Sequence, residues 1–311
     1  MITVITFNPS IDRLYNLDTF QVGFVQRANF VNPTPGGKGL NVAKVIKKLG
    51  ETPTCLGFIG GFNGAYIEHE IECIGLKNKF TKIDDETRIC LNIIDANGVS
   101  TEILEKGPTV SKNDIEEFER KLKEVLVNTK VLVASGSLLQ GLPKEYYFTI
   151  GKICERENIK FILDTSGVSL ELALDSNIYL IKPNKDELEA LSKRNINSKE
   201  DAIDAAKKLL NRGIKNICVS MGKDGMILIN EDNIYEVEVP KIEVLNPVGS
   251  GDSSIAGFAY GILKEYHIKD CLRLANACGM SNALYMETGY IETDDIETFI
   301  KDISIVEYAV N

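Results

Sequence analysis

Asp252 follows directly on Gly249, Ser250 and Gly251 in the segment LNPVGSGDSSIAGF, and the residues after it carry a small, apolar helical pattern. Backbone N–H groups around a Gly-x-Gly turn at a helix start form an anion hole. A carboxylate beside such a hole is electrostatically awkward, because two negative charges repel. It makes sense as a general base that takes a proton from a hydroxyl while the hole holds the phosphoryl group under attack. The structural alternative is Asp252 as a helix N-cap.

A second loop, PGGKGLNVA at 35–43, places Gly36, Gly37, Lys38 and Gly39 ahead of a helical pattern. Glycines let backbone approach a ligand closely, the helix start favours an anion, and Lys38 adds a point charge. Asn41, on the first turn, can hydrogen-bond hydroxyls. The segment lacks the four-residue spacer and Lys-Ser/Thr ending of a Walker A loop. Two further stretches end strand-like runs: KPNKDEL, with Asn184 and Glu187, and VSMGKDG, with Ser220, Gly222 and Gly225. Ligands of open α/β sheets bind at the carboxyl ends of strands. Asn184 and Glu187 suit a hydrated Mg²⁺, which keeps several waters. Glu187 is equally suited to the first turn of a helix, where an acid is favoured by the dipole.

These loops need a scaffold. Apolar runs at 3–7, 54–59, 131–135, 161–164, 179–182 and 217–220 read as strands buried on both faces. Helical patterns at 39–49, 113–126, 144–157, 185–193 and 198–212 alternate with them, with Ser111 as an N-cap. Strand alternating with helix predicts a parallel α/β layered body. Two segments break the rhythm. Residues 14–32 are β-rich without helical period, and residues 88–105 form two strand-like runs around Asn97-Gly98, a hairpin signal. Together they predict a small antiparallel sheet, built from insertions at about 12–34 and 86–107, lying on the body as a lid. No linker divides the 311 residues, so one domain is expected.

Composition narrows the chemistry. A net charge of −10 argues against a nucleic-acid partner, and an anionic ligand would need a local cationic pocket. His69 and His267, the only histidines, cannot build a multi-histidine zinc site. The seven cysteines form no CxxC and lie mostly in apolar runs, as reduced core residues do. MITVITFNPSID has no signal-peptide features, and no apolar run is long enough to span a bilayer. A cytoplasmic protein is expected. A dinucleotide-dependent oxidoreductase would carry GxGxxG after the first strand, where NPSID stands.

The pair of glycine loops, with PNKDE and SMGKDG between them in order, resembles the signatures of the ribokinase/PfkB family of carbohydrate kinases across nearly the whole chain. NPSID resembles its hexose-phosphate branch, the tagatose-6-phosphate kinases, 1-phosphofructokinases and minor bacterial 6-phosphofructokinases. ETR at 86–88, TEILEKGP at 101–108, LNPVGSGDS at 245–253 and ANACGMSNA at 275–283 are most similar to the tagatose-6-phosphate kinases, a pattern the 1-phosphofructokinases largely share. The resemblance implies a three-layer α/β/α body, ATP and Mg²⁺, and transfer of phosphate to a ketohexose phosphate. It implies Asp252 as base, with Gly249, Ser250 and Gly251 as anion hole. Asp12, Gly37, Lys38, Asn41 and Ser137 become sugar contacts, although Leu139 stands where this branch often has proline. Arg88 and Arg27 resemble cations reaching the substrate's phosphate from the lid. Asn184, Ser220, Gly222, Gly225 and Asn276 fall on the nucleotide side, and Asn184 with Glu187 on the metal motif. A homodimer through the lid is expected, because Phe20, Val22, Phe24 and Val25 cannot all be buried beneath so small a sheet. A non-catalytic sensor on the same fold would have lost the base or the glycines.

Overall fold

The computed structural model describes residues 1–310. The strands, in chain order, are β1 (Ile2–Thr6), β2 (Ser10–Asn16), β3 (Phe30–Gly36), β4 (Thr54–Gly60), β5 (Lys77–Asn78), β6 (Thr81–Ile83), β7 (Arg88–Ile94), β8 (Ser100–Leu104), β9 (Val131–Ser135), β10 (Lys160–Asp164), β11 (Leu180–Ile181), β12 (Asn216–Ser220), β13 (Met226–Asn230), β14 (Asn233–Glu238) and β15 (Ser304–Ala309). The helices are α1 (Lys38–Lys48), α2 (Gly61–Cys73), α3 (Lys112–Leu126), α4 (Tyr146–Arg156), α5 (Gly167–Ala173), α6 (Lys185–Ser192), α7 (Lys199–Leu210), α8 (Ser250–Leu263), α9 (Ile268–Ala283) and α10 (Thr293–Asp302).

The large sheet has the order β15-β14-β13-β12-β11-β10-β9-β1-β4-β5, with β6 beside β4. The six apolar runs read from the sequence form its parallel centre, from β4 to β12. Their side chains alternate between two cores. Ile2, Val4, Val131, Val133 and Ile162 face α1, α8 and α9, whereas Ile5, Leu132, Ala134, Phe161 and Leu163 face α3, α4 and α7. Strands buried on both faces make the expected three layers. Ser111 caps α3, accepting from the Asp114 N–H while Asp114 reaches back to Ser111. Beyond β12 the sheet continues through the antiparallel strands β13, β14 and β15, which the sequence reading did not assign.

The small sheet has the order β3-β2-β7-β8. The Asn97-Gly98 hairpin joins β7 to β8, with Gly98 at φ 76. The sheet is mixed, not antiparallel: β2 and β7 pair parallel. Both strands leave the body at the same end of the large sheet, so they run outward side by side. Of the seven cysteines, all but Cys73 are buried. Among the described residues, no helix is long and apolar enough to cross a membrane.

Candidate active site

β1 is the point where strand order reverses, with β4 on one side and β9 on the other. Open α/β sheets bind ligands at the carboxyl end of such a switch point. A cavity of about 700 Å³ opens there, between the strand ends and one face of the small sheet. The body supplies Asn8, Ser135, Ser137, Asp164 and Lys182, and the small sheet supplies Asp12, Leu14, Arg88, Asn92 and Glu102. The starts of α1 and α8 close it with Gly37, Lys38, Asn41, Gly249, Gly251 and Asp252.

The two glycine loops meet at one hydrogen bond. Asn41 Nδ2 donates to Asp252 Oδ2 at 2.9 Å, with both side chains buried. Asp252 is not the N-cap of α8. Gly249 is, in the left-handed region at φ 87, and Asp252 lies in the first turn. That first turn leaves N–H groups without intrahelical acceptors, as an anion hole requires. Burial, and then the nearby Asp164 charge, push the Asp252 carboxyl up to about 6, against the opposing pull of Lys38, Asn41 and Lys182. A carboxylate there accepts a proton near neutral pH.

Lys38 Nζ lies 3.5 Å from Asp164 Oδ2, and its side chain is half exposed toward the cavity. Asp164 raises the Lys38 ammonium above its usual range, so the group stays charged. Burial disfavours a charge on Asp164 itself, but Lys182, Lys38 and the Ser135 hydroxyl outweigh it and hold its carboxyl below the usual range. Lys182 reaches the first turn of α8: a Cβ built on Gly251 would stand 3.1 Å from its Nζ. A cation at the start of α8 and a carboxylate–ammonium pair beside it were not assigned from the sequence. The signal was present, because Asp164 closes the apolar run FILD at a strand end.

Asp12 accepts from the Ser10 hydroxyl at 2.6 Å and from the Gly37 N–H at 3.4 Å. A side chain at Gly36 would overlap the Asp12 carboxylate, which explains glycine there. Ser137 lines the cavity and its Oγ accepts from Asn8 Nδ2 at 3.2 Å. Arg88 also lines it, but two of its nitrogens donate to the backbone oxygens of Asn8 and Glu105 at 3.0 and 2.9 Å. Its Nε is buried without a hydrogen-bond partner, as is that of Arg13, which also lines the cavity.

The remaining candidates divide between the cavity and positions outside it. Arg27 is exposed in the segment joining β2 to β3 and does not line this cavity. Ser220 lines it beside Asn184, but Gly222 and Gly225 shape the turn after β12 and stand outside the lining. Asn276 is buried within α9, where its amide donates to the Leu272 carbonyl oxygen. Asn184 and Glu187 line the cavity and also cap each other: Asn184 Oδ1 accepts from the Glu187 N–H at 2.8 Å, and Glu187 Oε2 from the Asn184 N–H at 3.0 Å. The helix-capping role and the cavity position coexist.

The sequence matches the pfkB family carbohydrate kinase family over residues 5–294. It is 42% identical over 310 residues to a tagatose-6-phosphate kinase of Staphylococcus epidermidis, covering 99% of this chain and 100% of that protein. The fold superposes on phosphofructokinase-2 of Escherichia coli, solved with potassium, at a TM-score of 0.91 and 26% identity, covering 97% of this chain and 99% of that one. A Staphylococcus aureus protein provisionally described as a phosphofructokinase gives a TM-score of 0.85 at 32% identity, with both chains fully covered. The chain therefore belongs to the pfkB family of carbohydrate kinases, phosphotransferases that act on a sugar hydroxyl.

Proposed function

We propose that this protein transfers the γ-phosphate of ATP to the free hydroxyl of a ketohexose phosphate, with tagatose 6-phosphate as the substrate and a 1,6-bisphosphate as the product. The observation that carries the reading is the buried Asp252, held by Asn41 beside the first-turn N–H groups of α8. Asp252 takes the hydroxyl proton as the oxygen attacks. Gly249, Ser250, Gly251 and Lys182 stabilise charge on the transferring group, where preorganised dipoles usually contribute most. Asp12, Gly37, Lys38, Asn41 and Ser137 orient the sugar, and Arg88 meets its phosphate. The small sheet acts as a lid that excludes water, a competing acceptor.

Asn184 and Glu187 fit a magnesium ion that keeps most of its waters. Their donors are oxygens, they line the cavity, and Glu187 Oε1 is left free by the capping pair. When bound, Mg²⁺ neutralises charge on the nucleotide phosphates. Ser220, Gly222, Gly225 and Asn276 are assigned to the nucleotide side. We place the protein in the cytoplasm, in keeping with its unpaired cysteines, all but Cys73 buried. The active form is a homodimer joined through the lids, since Phe24 and Val25 are 67% and 92% exposed on a single chain.

The substrate assignment rests on the tagatose-6-phosphate kinase relative. Comparing kcat/KM for tagatose 6-phosphate, fructose 1-phosphate and fructose 6-phosphate tests it. Tagatose 6-phosphate should lead; a preference for fructose 1-phosphate would make the protein a 1-phosphofructokinase.

A further inference from the structure

Asn282 lies at the end of α9 and is fully buried. Its side chain joins α9 to two other stretches of chain, 248–253 and Gly289. Nδ2 donates to the Val248 carbonyl oxygen at 2.9 Å and reaches Ser250 Oγ at 3.5 Å. Oδ1 accepts from the Gly289 N–H at 2.9 Å and from the Ser253 hydroxyl at 3.1 Å. Both donors and both acceptor sites of the amide are thereby used.

These partners are not scattered. Val248 precedes Gly249, and Ser250 and Ser253 belong to the first turn of α8. Gly289 belongs to the loop between α9 and α10 whose Met286, Glu287 and Thr288 line the cavity. That loop also abuts the other glycine helix, since a Cβ on Gly289 would stand 2.9 Å from the Asn41 Cα. The α8 N-cap, Gly249, has no capping side chain of its own. A side chain placed there would stand 2.6 Å from Thr288 Cγ2 and 3.1 Å from Asn282 Oδ1. The turn that presents the first-turn N–H groups is thus fastened from behind by the Asn282 amide, which does not itself line the cavity. Asn246 holds its start, accepting from the Val248 N–H at 3.1 Å and donating to the Met286 carbonyl oxygen at 2.9 Å.

We propose that Asn282 is a positioning residue for phosphoryl transfer: it fixes the Val248–Gly251 turn so that the anion hole and Asp252 keep one geometry. This rests on reading that turn as the anion hole. Donors that stabilise a transition state act only if they are already aimed when charge develops. Loosening them lowers kcat and leaves ground-state sugar binding largely intact.

The test is steady-state kinetics on the full-length Asn282→Ala and Asn282→Asp proteins with the sugar phosphate that the wild type uses, alongside thermal melts and the Asp252→Asn protein. Asn282→Asp keeps both acceptor contacts but sets an oxygen against the Val248 carbonyl. Folded Asn282→Ala should lose kcat by about 100-fold, with the sugar KM changed less than about threefold; Asn282→Asp should show the same pattern. A folded variant with kcat within threefold of wild type, or a sugar KM that rises as much as kcat falls, overturns the proposal. Should Asn282→Ala fail to fold, Asn282→Asp decides on the same criteria. Failure of both to fold also overturns it, by making Asn282 a folding residue. An inactive Asp252→Asn beside active Asn282 variants sinks only the positioning role, whereas an active Asp252→Asn sinks the reading of the turn itself.

Discussion

Asn41 Nδ2 donates to Asp252 Oδ2 across 211 residues of sequence, and through that bond the first glycine loop supports the carboxylate of the second. The bond stabilises the charged carboxylate against the burial that pushes its pKa up to about 6. The pH dependence of the enzyme follows from this balance. The base must be ionised, so kcat/KM should rise with pH through about 6 and then level. Asn41→Ala removes the donor and moves the acidic limb to higher pH, by about one unit. A limb left in place would show that the bond does not tune the base. The charged groups facing Asp252, namely Asp164, Lys38 and Lys182, are unchanged in this variant.

Stability should respond in the opposite direction to activity. An unfolded Asp ionises near its ordinary value, whereas Asp252 in the fold ionises only at about 6. Keeping the carboxylate charged therefore disfavours the fold above about pH 6, and the penalty disappears below about pH 4. Asp252→Asn should be more stable than wild type at pH 8, by about 2–3 kcal/mol at most, with the gap closing on acidification. Melting curves at both pH values check it, and equal stabilities at pH 8 would contradict the raised pKa.

Arg88, at the start of β7, ties the small sheet to the body through the Asn8 backbone oxygen and to the end of β8 through that of Glu105. Arg88→Ala should raise the KM for the sugar phosphate by about 10-fold or more and that for ATP far less. An unchanged sugar KM would remove Arg88 from the phosphate site.

The exposed Phe20, Val22, Phe24 and Val25 lie in the segment between β2 and β3. Light scattering at micromolar concentration should give a dimer, and Phe24→Asp with Val25→Asp should yield monomers. A monomeric wild type would contradict the lid interface.

The central parallel strands, buried on both faces, could be read from sequence, as could the exposed Asn97-Gly98 hairpin, whereas β13, just as apolar and buried, was not assigned. Val131–Ser135 and the other central strands are continuous apolar runs, and their ends fell within two residues of the observed ones. β14 and β15 were missed because charged residues such as Glu236, Glu238 and Glu307 interrupt their half-exposed pattern. The parallel pairing of β2 with β7 escaped because each hairpin signals only its own turn; which strands become neighbours is decided by where both leave the body. The site followed the same rule. Asp252, Lys38 and Asn41 announced themselves through adjacent glycines. Asp164 and Lys182 became meaningful only once β10 and β11 stood side by side and aimed both at α8. Asn282 reads as an ordinary polar residue within ANACGMSNA until its four partners are seen.

The acid excess also resolves locally. It does so at points, not as a cationic field: Asp12, Glu102, Asp164, Glu187, Asp252 and Glu287 line the cavity as well, and an anionic sugar and nucleotide would meet Lys38, Lys182, Arg88 and Arg13 individually.

The central claim is that Asp252 is the proton acceptor, and turnover of Asp252→Asn tests it most directly. The variant keeps the side-chain shape and should still bind ATP and the sugar phosphate in calorimetric titrations. Its kcat should fall by about 10³-fold or more. Binding retained with near-wild-type kcat would contradict the account.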